Sequence, residues 1–170
     1  QLLPGVTDSK KLTEAKREVI YKLAKQLEQQ QQLYIAVRLV GAAYIDKKGI
    51  VAAVRKGLVA GLHKVTTHLP KTNLRNNVQI LLDGGLKASA KWENQQTIIK
   101  GDSQEKVIGL ASIMAKVTRD RYMRRRAKLA AYTPYGFATH KGYGTKVHLE
   151  TIAQHGLSPE HRVSFCKNFW

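Results

Sequence analysis

The chain has 170 residues, enough to bury the core of one domain and too few for two ordinary ones. Its 29 Lys and Arg against 12 Asp and Glu give a formal charge of +17, which points to a polyanionic partner and away from chemistry on small neutral substrates. Cys166 is the only cysteine, so an intramolecular disulfide and a cysteine zinc cluster are excluded, and no apolar run reaches the roughly 18 residues of a membrane span.

Taken in order, Thr13 and Glu14 open a helix expected over residues 13–30, with Val19, Ile20, Leu23 and Leu27 lining one face. Leu33, Ile35, Val37 and Leu39 then alternate with Tyr34, Ala36, Arg38 and Val40, the period of a strand over 33–40 with one face in a core. Asp46 stands where a helix cap belongs. Ile50, Val54, Leu58 and Leu62 follow it at steps of four, which predicts a second helix running through Gly49 and Gly57.

The polar stretch 66–77, holding Pro70, reads as a loop. Two short apolar runs, 78–82 and 96–99, stop at Asp83-Gly84-Gly85 and at Lys100-Gly101-Asp102, and both read as buried strands ending in a carboxylate. The longest helix is expected over 103–129, with Val107, Leu110, Met114 and Val117 facing inward. Pro134, Gly136, Gly142 and Gly144 mark a loop over 132–145, and a short helix over 146–154 ends at His155-Gly156. Strands alternating with helices imply one α/β domain spanning residues 1–170, a sheet flanked by helices with a helical and loop-rich C-terminal region.

Four places in this chain carry candidate chemistry. Asp83 and Asp102, each at a strand end, are expected at one edge of the sheet, and two carboxylates supply half of a plausible site for a hard divalent cation. As turn-forming and helix-capping residues they would have a purely structural role instead. Ser112, Lys116, Arg119 and Met123 recur at i, i+4, i+7 and i+11, so a hydroxyl, an ammonium and a guanidinium share one helix face, able to meet successive phosphates or simply to face solvent.

The loop Asp8-Ser9-Lys10-Lys11-Leu12 offers two adjacent ammonium groups just before a helix, a place where phosphate binds readily. Tyr143, among glycines and basic residues in His140-Lys141-Gly142-Tyr143-Gly144-Thr145, is a ring available either to stack on a sugar or base or to pack on the domain. The six histidines show no ligand spacing, and no nucleophile elbow or Walker-type loop occurs.

In this order the segments resemble the ribonuclease HII family. The likeness rests on Thr7-Asp8-Ser9-Lys10-Lys11-Leu12, Ile45-Asp46, Leu82-Asp83-Gly84, Lys100-Gly101-Asp102, the run from Ala111 to Asp120, Tyr135-Gly136-Phe137, His140 to Thr145, and His161-Arg162 with Ser164-Phe165. It spans almost the whole chain.

The resemblance implies a ribonuclease H-like fold, with a mixed sheet flanked by helices. It implies endonucleolytic cleavage of RNA in RNA/DNA hybrids and at single ribonucleotides embedded in duplex DNA, by two-metal-ion phosphodiester hydrolysis giving 5'-phosphate and 3'-hydroxyl ends. Two Mn²⁺ or Mg²⁺ ions are the implied cofactors, held by four carboxylates of which Asp83 and Asp102 match the third and fourth. Tyr143 matches the tyrosine that stacks on the sugar where RNA passes into DNA, and Ser9, Lys10, Lys11, Ser112, Lys116 and Arg119 are the expected substrate contacts. A monomer in the cytoplasm is expected, with no membrane attachment.

The family's first strand ends in Asp-Glu-Ala-Gly-Arg-Gly, and this sequence holds no Asp-Glu dipeptide. The chain, which starts on Gln1, is therefore expected to lack an N-terminal segment, with the first central strand and half of the metal site. The rival expectation, from another class, is a non-catalytic basic protein that binds nucleic acid by charge alone.

Overall fold

The computed structural model describes residues 3–69 and 78–167. It divides into two units, one taking in residues 1–38 and 55–117, the other residues 39–54 and 118–170.

In the first unit, α1 is Glu14–Gln29. Thr13 caps it, its hydroxyl accepting the amide of Lys16, and Glu14 sits in the first turn where the exposed helix amides favour negative charge. Ile20, Ala24 and Leu27 follow at i, i+4 and i+7 and are buried, whereas Val19 is exposed. Ile20 and Ala24 meet Leu110, Ile113, Met114 and Val117 of the longest helix in one core cluster. Burying a side chain of this kind stabilises by about 1.5–3 kcal/mol.

Leu33, Ile35 and Val37 pack against that cluster, so the alternation in the sequence does mark one inward face. No ladder forms, however, and among the described residues 33–41 carry no strand. The amide of Ile35 donates to a Glu28 carboxylate oxygen at 3.1 Å, which satisfies it from a side chain instead of a neighbouring strand. The expected strand is thus an extended segment.

The described sheet is β1, Ile80–Asp83, paired in parallel with β2, Gln95–Ile98, with Asp83 opposite Ile98. Ile80 and Leu82 are buried with Trp92, and Leu58 and Leu62 pack on them. The second strand is not buried as expected: Gln96 and Thr97 are exposed, and Ile99 just beyond is 76% exposed. Among the described residues this strand has one partner, and polar side chains suit a strand at a sheet edge, where they discourage further pairing. Residues 70–77 of the expected loop lie outside the described residues.

The single helix expected after residue 46 is two helices, α2 at Ala42–Lys48 and α3 at Ile50–Thr66. Gly49, at φ +82°, breaks them, in a backbone region that a side chain strongly disfavours. Asp46 is not a cap. It lies inside α2, and its carboxylate accepts the amides of Val163 and Ser164 at 2.9 Å each, plus the Ser164 hydroxyl. Those bonds, the Ser164 hydroxyl foremost, hold its carboxyl below the usual value.

The helix expected over 103–129 also divides. A single turn, α4 at Gly101–Gln104, is followed by extended Glu105 and then by α5, Lys106–Arg126. Val107, expected inward, is exposed, and the seam runs through Ile113 instead. The second unit's core is Met123, Tyr132, Tyr135 and Phe137. Met123 keeps the face that its spacing shares with Arg119 but is buried there, so that face is not polar throughout. The expected loop over 132–145 contains the end of a 3-10 helix, Ala130–Tyr135, and a helical turn, α6 at Phe137–His140, before α7 at Lys146–His155.

Candidate active site

Parallel pairing brings the C-terminal ends of β1 and β2 to one edge. There the Asp83 carboxylate accepts the amide of Gly101 at 2.9 Å, and Asp102, the next residue, is buried to 9% exposure in α4. Lys100 enters this turn at φ 55°, ψ 38°, a left-handed conformation costly for a residue with a side chain. A Cβ on Gly101 would come within 2.6 Å of Ile108 Cδ1, the movable end of a side chain, and 3.5 Å of the Asp83 oxygen, so a larger residue there requires Ile108 to shift. The expected meeting of the two strand ends occurs. One Asp83 oxygen is engaged by backbone.

The basic loop is held from three sides. Asp8 accepts the amide of Lys10 at 2.9 Å, Ser9 meets the Ser112 hydroxyl at 2.8 Å, and the Arg17 guanidinium donates to the carbonyls of Ser9, at 2.8 Å, and Leu12. Ser9 is buried, while Lys10 and Lys11 are exposed and present their ammonium groups to solvent. Ser112 is thus engaged in positioning this loop, and Lys116 lies one turn further along the same helix, half-buried.

Gly109 explains how the loop and the Asp102 turn both reach α5. A Cβ there would lie 2.8 Å from the Asp102 carbonyl oxygen, 3.2 Å from Val6 and 3.3 Å from the Thr7 carbonyl oxygen. Neither Arg17 nor Gly109 stood out in the sequence. The available signal was a glycine inside an apolar helical run, which marks close backbone approach as often as weakness.

In the second unit the Arg119 guanidinium lies 5.1 Å from the centre of the Tyr143 ring, and Tyr143 is 50% exposed. Two of the expected contact residues therefore meet as a cation on an aromatic face. Gly142, at φ +78°, leaves room for Met123 and Arg119 beside it. Behind Tyr143, His140, His148 and His161 are buried against Phe137 and Tyr135. Burial holds the imidazoles of His140 and His161 below their ordinary pKa, and the neighbouring His148 adds to this. The sequence showed these histidines only as scattered.

Among the described residues no group of three or more His, Cys, Asp and Glu is set to hold a metal ion. Asp83 and Asp102 offer hard carboxylate oxygens, the donor type that Mg²⁺ and Mn²⁺ take, so in kind though not in number they fit such an ion. No helix among the described residues is long and apolar enough to cross a membrane.

Residues 2–168 match the ribonuclease HII family. The chain is 39% identical to ribonuclease HII of Acetivibrio thermocellus, covering 98% of this chain and 59% of that protein. It is 41% identical to ribonuclease HII of Shouchella clausii, over 97% of this chain and 57% of that one, and 38% identical to that of Endomicrobium trichonymphae, over 96% and 71%. The chain thus spans somewhat over half the length of the first two relatives. With its α/β order consistent with a ribonuclease H-like fold, the chain belongs to the ribonuclease HII family.

Proposed function

We propose that this chain contributes to an endoribonuclease that cuts RNA in RNA/DNA hybrids and at single ribonucleotides in duplex DNA, leaving 5'-phosphate and 3'-hydroxyl ends. The observation that carries this reading is the convergence of Asp83 with the Gly101-Asp102 turn at one sheet edge. Asp83 and Asp102 would hold the divalent ions, Mn²⁺ or Mg²⁺. When bound, such ions lower the pKa of an attacking water and neutralise charge on the leaving oxygen.

The other residues act on substrate. Lys10 and Lys11 reach phosphates, and Ser9 and Ser112, hydrogen-bonded to each other, fix that loop to α5. Lys116 adds an ammonium in the first unit. In the second, Tyr143 stacks on a sugar at the RNA-to-DNA junction, and Arg119 draws the ring into place and meets backbone charge. The protein works as a monomer in the cytoplasm, in the removal of ribonucleotides from DNA.

Two aspartates carry less negative charge than a pair of divalent ions needs, so the 170 residues by themselves are expected to bind nucleic acid better than they cut it. The test compares binding and cleavage of duplex DNA bearing one ribonucleotide, of a long hybrid and of all-DNA duplex, with Mn²⁺, Mg²⁺ or EDTA. Metal-dependent preference for the ribonucleotide-bearing duplexes is expected. Binding that follows salt alone, with neither metal nor ribonucleotide dependence, would favour the charge-only protein.

A further inference from the structure

Two of the three buried histidines of the second unit, His161 and His148, form an ordered chain of hydrogen bonds that ends on Tyr143. The amide of Ser158 donates to His161 Nδ1 at 2.8 Å. A backbone amide gives a proton and never takes one, so Nδ1 of His161 holds a lone pair and its proton sits on Nε2. The Ser158 hydroxyl, also 2.8 Å from that Nδ1, is compatible as a second donor. His161 Nε2 lies 3.0 Å from His148 Nε2, and a contact between two ring nitrogens takes a single proton. His161 supplies it, so His148 accepts at Nε2 and is protonated on Nδ1, which lies 2.9 Å from the Tyr143 carbonyl oxygen.

The Ser158 carbonyl oxygen also lies near the Nδ1 of His161, at 3.3 Å, and the shorter bond from the Ser158 amide sets the order of donors and acceptors along the row. His148 and His161 are only 4% and 7% exposed, which leaves water little part in the assignment. His140 stacks on His148 with ring centres 4.2 Å apart, and its own Nδ1 accepts the amide of Gly142 at 3.1 Å. The loop is therefore gripped at two successive residues, by the Gly142 amide and by the Tyr143 carbonyl. That carbonyl also takes the amide of Thr145 at 2.8 Å, and the Tyr143 amide donates to the His140 carbonyl at 2.9 Å.

We infer that His148 is a positioning residue for Tyr143, with its tautomer set through His161 by the amide of Ser158. The inference rests on the reading of Tyr143 as the ring that stacks on the junction sugar. Its consequence is that the exposed ring is carried on a backbone whose direction is fixed from the buried side, while Arg119 meets the ring itself. A stack made by a ring already held in place loses less entropy on binding.

Two substitutions separate positioning from packing, because an asparagine amide occupies the place of histidine Nδ1 and a glutamine amide that of Nε2. His148→Asn keeps a donor for the Tyr143 carbonyl; His148→Gln keeps only the contact with His161. Hydrogen exchange of the Tyr143 and Thr145 amides is expected to stay near wild type in His148→Asn and to quicken about tenfold in His148→Gln, the loss of one hydrogen bond of roughly 1.4 kcal/mol. Equal exchange in the two variants, or faster exchange in His148→Asn, would overturn the inference.

Long-range proton–nitrogen correlation spectra of the unmodified chain at neutral pH test it without any substitution. Protons on His148 Nδ1 and His161 Nε2 are expected, and a proton on His148 Nε2 would overturn it even if neither variant folds. Binding then links the relay to substrate: His148→Gln should lose preference for a ribonucleotide-bearing duplex over all-DNA duplex, in Ca²⁺, to the same extent as Tyr143→Ala. If Tyr143→Ala keeps that preference, the stacking role fails, while the exchange and tautomer results still decide the relay.

Discussion

In the first unit the candidate groups lean on backbone: Asp83 takes the Gly101 amide, Arg17 grips the carbonyls of Ser9 and Leu12, and Gly109 lets two chain segments come close. In the second unit they lean on one another, as His140, His148 and His161 stack and hydrogen-bond among aromatic rings. The difference teaches where each unit is vulnerable. Backbone contacts tolerate a change of side chain far away but not an added Cβ, whereas a side-chain network fails when a packed ring or a proton is altered.

The largest effect should come from the carboxylates. Asp83→Asn or Asp102→Asn in a polypeptide that cleaves ribonucleotide-bearing duplex is expected to lower turnover by about three orders of magnitude or more, with hybrid binding unchanged or tighter. Single-turnover assays beside filter binding would check this, and unchanged turnover would remove that aspartate from the metal site.

Phe137→Ala is expected to destabilise the second unit by about 3–5 kcal/mol, because the ring is 1% exposed and touches both the tyrosines and the histidines. Denaturant unfolding measures it. Gly109→Ala should cost about 1–3 kcal/mol, since its Cβ meets backbone oxygens that cannot turn aside. An unfolding midpoint equal to wild type would mean that the approach of the basic loop to α5 is looser than these distances.

Acid should act on the second unit without any substitution. His140 and His161 have folded pKa values below 6.5, from burial first and then from His148; Lys141 adds to this at His140, and Glu160 opposes it at His161. The unfolded chain therefore binds protons first, so stability is full above the unfolded value of 6.5 and falls as pH drops below it toward the folded values. Thermal melts at about pH 7.5 and about pH 5.5 should show the drop, and His161→Gln should flatten it. Smallest is Thr13→Ala, which removes the cap of α1 and should cost about 1 kcal/mol, read as a lowered midpoint on the same unfolding curves.

Much of the fold was legible because local signals and tertiary needs agree there. Thr13 caps α1, the run before Asp83 forms β1, and Gly156 ends α7 with its amide on Ile152. The failures share a cause. Residues 33–40 have strand alternation and an inward face, yet a strand is defined by a neighbour that no local pattern supplies. Asp46 sits at a cap-like position, but its carboxylate is satisfied by residues 163 and 164, more than a hundred positions away.

The candidate site divides in the same way. Residue types and order in the sequence were enough to single out Asp83, Asp102, the Ser9-Lys10-Lys11 loop and Tyr143, since charge, hydroxyl and ring chemistry are written residue by residue. Arg17, Gly109 and the His161-to-His148 relay required the folded chain. Their roles consist of distances to backbone atoms and of proton positions fixed by partners remote in sequence, and periodicity carries no record of either. The sequence thus determined which chemical groups the protein has; the tertiary structure decided which of them touch and which way the protons run, because contact and tautomer are properties of pairs.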